Sequence, residues 1–357
     1  MSQPFAILID ATPLCRKTDG VGRYTQDLVI HLAKKYPERE IILLGFIGDK
    51  LMSDKILTIS NVRFYKLPII RKAYSFLYSR LVRIPVDILL PRFDVYIGTN
   101  FIRFPYITSH PSLIAIHDMA YVRFPETIER KNLAHLTKHV PLTMEEDNTV
   151  IATSAFTKRE LEELYPDHNE IFNVSNAIDT PFWTPSGTKR EKYILAVGTL
   201  EPRKNFSALL EAYTSLPEKV QMAHPLVIVG GSGWGESYFQ KSKHITFTGY
   251  VDDKKLIELY RKARLFVLPS LYEGFGIPVL EALSTNTPVI CADIPPLRDI
   301  ANKYATYFDP KSSKNIADTL QKELAKKPRS IDFNPQAFAW DRSIESLERA
   351  IQFSLRK

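Results

Sequence analysis

Two carboxylates, Glu273 and Glu281, stand eight residues apart around Gly274, Phe275, Gly276, Ile277 and Pro278 in the stretch "LPSLYEGFGIPVLEALSTNTPVI" (268–290). It begins as the end of one apolar strand and finishes as another. Proline suits the first helical position, which predicts a helix from about Pro278 to Ser284, with Glu281 in its first turn. Gly274 and Gly276 let backbone amides come close to a ligand, and the helix N-terminus adds free N–H groups and partial positive charge. A phosphate fits there. A carboxylate accepts two hydrogen bonds from a vicinal diol, so ribose or hexose hydroxyls suit both glutamates. The plainer alternative is a solvent-exposed Glu273 and a Glu281 that only favours the helix dipole.

The matching cations lie in "VGTLEPRKNFSALLEAY" (197–213), where a strand ends in a turn carrying Arg203 and Lys204. Two cations at the C-terminal end of a parallel strand can clamp a diphosphate, although a solvated surface pair has the same sequence. In "TDGVGRY" (18–24), Gly20 and Gly22 read as a phosphate-approach loop between the first strand and first helix, and turns use such glycine pairs for other reasons too. "GGSGWGE" (230–236) misses the dinucleotide fingerprint because Glu236 holds the last glycine position. No acidic ribose ligand follows the first strand, which argues against a dehydrogenase. In "IAIHDMAYVRFPE" (114–126), His117 and Asp118 end an apolar strand, where a side chain either enters a cleft or packs in the core. Neither an H-E-x-x-H pattern nor a His/Cys cluster is present, so no metal is expected.

These residues need positioning elements, and strand-like and helix-like segments alternate along the chain. "FAILID" (5–10), "EIILLGFIG" (40–48), "SLIAIHD" (112–118) and "NTVIATS" (148–154) read as strands, with Ser154 as the N-cap of the next helix. The pattern restarts near 190 with "KYILAVGTL", "PLVIVGG", "ITFTGYV", "RLFVLPS", "TPVICAD" and "ATYFDP". The seam is "NAIDTPFWTPSGTKRE" (176–191). Such alternation predicts an α/β fold of two Rossmann-like domains whose parallel sheets face a central cleft.

The 357 residues suffice for two domains, and 45% apolar with 24% charged residues is ordinary globular composition. Two distant cysteines, Cys15 and Cys291, predict neither disulfides nor a metal site. The opening "MSQPFAILIDAT" is not expected to be a secretory signal, and no apolar run is long enough to span a membrane. A net charge of +7 favours anionic partners. Within "RFYKLPIIRKAYSFLYSRLVR" (63–83) are six basic residues, no acid and five aromatics, which reads as a basic helix. Such a helix either lies on an anionic membrane or packs its aromatics inward.

Together the motifs resemble those of the GT-B-fold retaining glycosyltransferases of family 4, over essentially the whole chain. Glu273 to Glu281 is similar to that family's E-x7-E motif. "VGTLEPRKN", "GYVDDKKLIELYRKA" and "PPLRDIANKYATYFDP" resemble its C-domain signatures, and "DGVGRY", "IHDMAYVRFPE" and "TSAFTKREL" its N-domain ones. The resemblance implies an acceptor-binding domain over 1–180, a nucleotide-sugar domain over 181–335, and a last helix over 336–357 that crosses back. It further implies that Glu281 holds the ribose, that Glu273 with Gly274, Phe275, Gly276 and Ile277 meets donor sugar and phosphates, and that Lys204 and Arg203 neutralise the leaving diphosphate. His117 would sit by the donor sugar, Gly20 and Gly22 by the diphosphate, and Val251 at the base. Thr199 stands where many relatives carry arginine, a departure at the second phosphate cation.

The implied reaction is metal-independent and uses no cofactor beyond the nucleotide-sugar substrate. The wording resembles the bacterial O-antigen and capsule mannosyltransferases, which implies GDP-mannose as donor. UDP-glucose and UDP-N-acetylglucosamine are the alternatives, and an epimerase or a non-catalytic nucleotide-sugar binder are the other readings. The implied acceptor is a glycan or lipid-linked oligosaccharide, the implied location the cytoplasm with peripheral contact at the inner membrane face, and no nucleic-acid partner is expected.

Overall fold

The structure, a computed structural model, describes residues 4–15, 20–52, 54–73, 89–103, 110–145, 148–187, 189–231, 233–234, 243–327 and 330–357. The chain forms two compact units. One comprises Met1–Met119, His135–Asn176 and Trp340–Lys357, the other Ala120–Ala134 and Ala177–Ala339.

The first unit is built on a parallel sheet of β1 (Ala6–Asp10), β2 (Glu40–Ile47), β3 (Val62–Ile70), β4 (Val95–Gly98), β5 (Ser112–Ile116), β6 (Thr149–Ala152) and β7 (Ile171–Asn173). Their order is β3-β2-β1-β4-β5-β6-β7. β1, β4, β5 and β6 are buried at every residue. That is why β1, β5 and β6 read as largely apolar runs and not as alternating ones. Ser154 caps the helix Ala155–Leu164 by accepting the Thr157 N–H. The last helix, Trp340–Ser354, packs on the helix Gly20–Lys35 and on β5, β6 and β7. Arg39 binds both oxygens of Glu348 on it, at 2.5 and 2.9 Å, and the Ser343 hydroxyl donates to the Ser175 carbonyl at 2.7 Å.

The second unit carries β8 (Ile194–Val197), β9 (Leu226–Val229), β10 (Ile245–Gly249), β11 (Leu265–Leu268), β12 (Val289–Ala292) and β13 (Ala305–Phe308). The order is β10-β9-β8-β11-β12-β13, again parallel. In both sheets the chain builds outward from the first strand in one direction and then crosses to its other side. The crossing falls between β1 and β4 in one unit and between β8 and β11 in the other. At such a crossing the loops beyond the strand C-termini diverge and leave a crevice.

Two sequence expectations differ from the structure. The basic stretch is not a helix at its start. Val62–Ile70 is the edge strand β3, with Val62 and Leu67 buried and Arg63 and Lys66 exposed. Its aromatic and β-branched residues favour a pleated, half-buried surface, and Pro68 is tolerated because the strand is an edge. Tyr74, Phe76, Leu77, Tyr78, Arg80 and Arg83 lie outside the described residues. Second, Gly20 and Gly22 do not form a loop. They occupy the first turn of the helix Gly20–Lys35, and the preceding residues 16–19 lie outside the described ones.

Candidate active site

In the second unit, the loops after β8 and β11 meet at the topological crossing. Pro202–Lys204 forms one 3-10 turn after β8. The Lys204 ammonium lies 2.8 and 3.0 Å from the two carboxylate oxygens of Glu273, on the loop after β11. The Ser270 hydroxyl donates to the same carboxylate at 2.6 Å. Lys204 and Glu273 are both largely buried, with side-chain exposures of 12% and 7%. Burial alone would raise the Glu273 carboxyl, but the charges of Lys204 and Arg203, with the hydrogen bonds from Lys204 and Ser270, hold it below the usual carboxylate range. Arg203 bonds the buried Glu201 at 2.9 Å. Each of the two expected cations is thus matched to a carboxylate.

Backbone bonds join the two loops. The Leu271 N–H donates to the Arg203 carbonyl at 2.9 Å. Asn205 Nδ2 donates to the carbonyls of Pro269 (3.0 Å) and Pro310 (2.7 Å) from a left-handed backbone, φ 56°. Asn205, Ser270 and Glu201 were not singled out from the sequence. The available signal for Asn205 was an asparagine closing a turn just before a helix, where that residue tolerates left-handed backbone better than most.

The helix after Glu273 runs Ile277–Ser284, with Gly276 as its N-cap. Gly276 has φ 114°, and a Cβ there would lie 2.5 Å from Leu297 Cδ2, so the turn requires glycine on both counts. Because the helix begins one residue before Pro278, Glu281 falls in its second turn and not in the first. It is also buried, at 1% exposure, where a purely dipole-compensating surface role does not apply. Phe275 is buried and meets Phe338 edge-on, with centroids 6.1 Å apart. Thr199 is exposed on the loop after β8. Gly230 lies against that loop: a Cβ on it would come 1.9 Å from the Gly198 carbonyl oxygen. Val251 follows β10, two strands away from β8, and packs half-buried on the core of this unit. The segment Ala120–Ala134 also belongs to this unit, with Phe124 against Tyr272 at 5.6 Å and Trp234 Nε1 donating to the Thr127 carbonyl at 3.0 Å.

The first unit holds the remaining expected residues. His117 follows β5, with Nε2 2.7 Å from the Thr99 carbonyl oxygen, and the Gly20–Lys35 helix supplies Tyr24 against its ring at 5.1 Å. Of the cations in the basic stretch, Arg63 pairs with Glu40, and Arg71 pairs with Asp49 at 2.7 Å. No described helix is long and apolar enough to cross a membrane.

Two α/β units, each built on a parallel sheet with a strand crossing, give the GT-B fold. Residues 182–340 match the family described as Glycosyl transferases group 1. The chain is 28% identical to O-antigen chain mannosyltransferase B of Escherichia coli, over 94% of this chain and 96% of that protein. Among solved structures, sucrose-phosphate synthase from Thermosynechococcus elongatus superposes with a TM-score of 0.74 at 19% identity, covering 99% of both chains. Anabaena Alr3699/HepE in complex with UDP and glucose gives a TM-score of 0.69 at 18% identity, covering 98% of this chain and 99% of that one.

Proposed function

We propose that the protein is a metal-independent, retaining hexosyltransferase that moves mannose from GDP-mannose to a hydroxyl of a glycan or lipid-linked oligosaccharide in cell-surface polysaccharide synthesis. The observation that carries the reading is the Lys204 ammonium held on both oxygens of Glu273 at the β8/β11 crossing. The choice of mannose is supported by the full-length similarity to O-antigen chain mannosyltransferase B.

In the proposed reaction Lys204 and Arg203 stabilise the negative charge that builds up on the departing diphosphate, work that a divalent cation does in other transferases. The acceptor hydroxyl oxygen bonds to the anomeric carbon on the face from which the diphosphate leaves. The carbon–oxygen bond to the β-phosphate breaks, and the hydroxyl proton passes to the departing phosphate oxygen. The α configuration is retained without an enzymic nucleophile. Glu273 accepts hydrogen bonds from the donor sugar, with the Gly274–Ile277 backbone at the phosphates and Glu281 at the ribose.

A thermal-shift screen of GDP, UDP and their sugars tests the donor. At 100 times Kd a ligand raises stability by about 2.7 kcal/mol. GDP-mannose is expected to raise the midpoint well above UDP-glucose and UDP-N-acetylglucosamine. A shift confined to the uridine nucleotides would replace the donor assignment, a reading favoured by the UDP bound in the Anabaena structure.

The enzyme is further proposed to act in the cytoplasm and to touch the inner membrane face through the basic stretch. Near an anionic leaflet each unpaired cation contributes about 1 kcal/mol. Co-sedimentation with anionic but not neutral liposomes, weakening with salt, is the expected result. Binding to neither lipid would end this part of the proposal.

A further inference from the structure

The imidazole of His117 is held from several directions within the first unit. Nε2 lies 2.7 Å from the Thr99 carbonyl oxygen. A carbonyl only accepts, so Nε2 carries the proton, and in the neutral ring Nδ1 is the acceptor nitrogen. The Tyr24 ring meets the imidazole edge-on at 5.1 Å and 87°, and the Phe101 ring meets it at 5.4 Å and 57°. The His117 carbonyl is fixed as well, accepting from the hydroxyls of Thr153 (3.2 Å) and Thr157 (3.1 Å).

Phe101 holds this contact from an unfavourable backbone. Its φ is 61°, in the left-handed region, where bulky side chains are rare because Cβ crowds the neighbouring carbonyl. The conformation is locked by the Phe101 N–H donating to the Ala115 carbonyl at 2.8 Å and the Ile102 N–H donating to the Asn100 carbonyl at 2.7 Å. Glycine would make the first of these bonds with no such crowding. The ring is only half-buried, and the strained backbone is what presents it to the imidazole.

We propose that Phe101 is a positioning residue for His117. Its strained backbone sets the ring against the imidazole and keeps that ring on the Thr99 carbonyl with the proton on Nε2. The effect on transfer rests on His117 taking part in the proposed reaction, whereas the effect on the imidazole does not.

The full-length protein labelled with [15N]histidine tests this at mildly alkaline pH. His117→Asn identifies the His117 signals by their loss. The wild type is expected to show a protonated Nε2 and an unprotonated Nδ1. Phe101→Gly should move both nitrogens toward the average of two tautomers, with a thermal midpoint no lower than wild type because the backbone strain is relieved. Phe101→Trp should restore the wild-type pattern. Transfer by Phe101→Gly should fall about 10- to 100-fold in kcat with little change in donor KM. An unchanged His117 pattern in Phe101→Gly overturns the proposal, as does a marked loss of midpoint, which would make Phe101 merely structural. A changed pattern with undiminished transfer upholds the positioning role and removes His117 from the reaction.

Discussion

Lys204→Ala is expected to cut kcat by about 10²–10³, because the proposed electrostatic stabiliser of the leaving diphosphate is gone. Removing one member of a buried ion pair also destabilises the fold, by up to about 3–5 kcal/mol when the other charge is left unmatched. Arg203 and the Ser270 hydroxyl remain beside Glu273, so the loss should fall toward the lower end. A Lys204→Met/Glu273→Gln double variant separates the two effects. It should recover much of the stability and none of the rate.

Acid titration gives an independent readout of the same pair. In the wild type the folded Glu273 carboxyl lies below its unfolded value of about 4.3, so its contribution is present above that value and is lost as pH falls through the folded one. In Lys204→Ala, burial is opposed only by Arg203 and Ser270, and the carboxyl rises. The stability deficit of the variant should therefore shrink as pH falls from about 7 to 5. Equal deficits at the two pH values, measured by urea unfolding, would contradict the assigned pairing. Near wild-type turnover would remove Lys204 from the reaction.

Asn205→Ala carries the second large effect. Its side chain donates to two carbonyls, Pro269 and Pro310, from a buried position. Each carbonyl stranded without a donor costs about 1–3 kcal/mol. Alanine also pays on the order of 1 kcal/mol for the left-handed backbone, which glycine does not. A total loss of about 3–5 kcal/mol is expected for Asn205→Ala, with Asn205→Gly about 1 kcal/mol less destabilised. Because Pro269 leads directly into the loop of Ser270 and Glu273, turnover should fall with stability. A loss below about 1 kcal/mol in Asn205→Ala would mean that other donors satisfy these carbonyls.

The sequence made the buried strands legible because their burial leaves no polar face. β1 and β5 stand out for that reason, with four consecutive apolar residues each, Ala6–Ile9 and Leu113–Ile116. β4 was not read at all. It spans only Val95–Gly98, in a region without recognisable motifs. β3 was misread because its aromatics and cations lie close together at spacings that also fit a helix, and only pairing with β2 decides the matter. The site was legible in pieces. Lys204 and Glu273 stood out separately, but they are 69 residues apart in the chain, and their contact depends on β8 and β11 being neighbours. The shift of Glu281 into the second helical turn follows from Gly276, whose positive φ starts the helix one residue early. Asn205 was hidden because its importance lies in two distant carbonyls.

The most direct test is a transfer assay with GDP-mannose and a lipid-linked oligosaccharide acceptor in EDTA, with NMR of the product. The expected product is the acceptor extended by one α-linked mannose, formed at a rate unaffected by chelation. A β-linked product, or activity lost in EDTA and restored by magnesium or manganese, would contradict the proposed reaction.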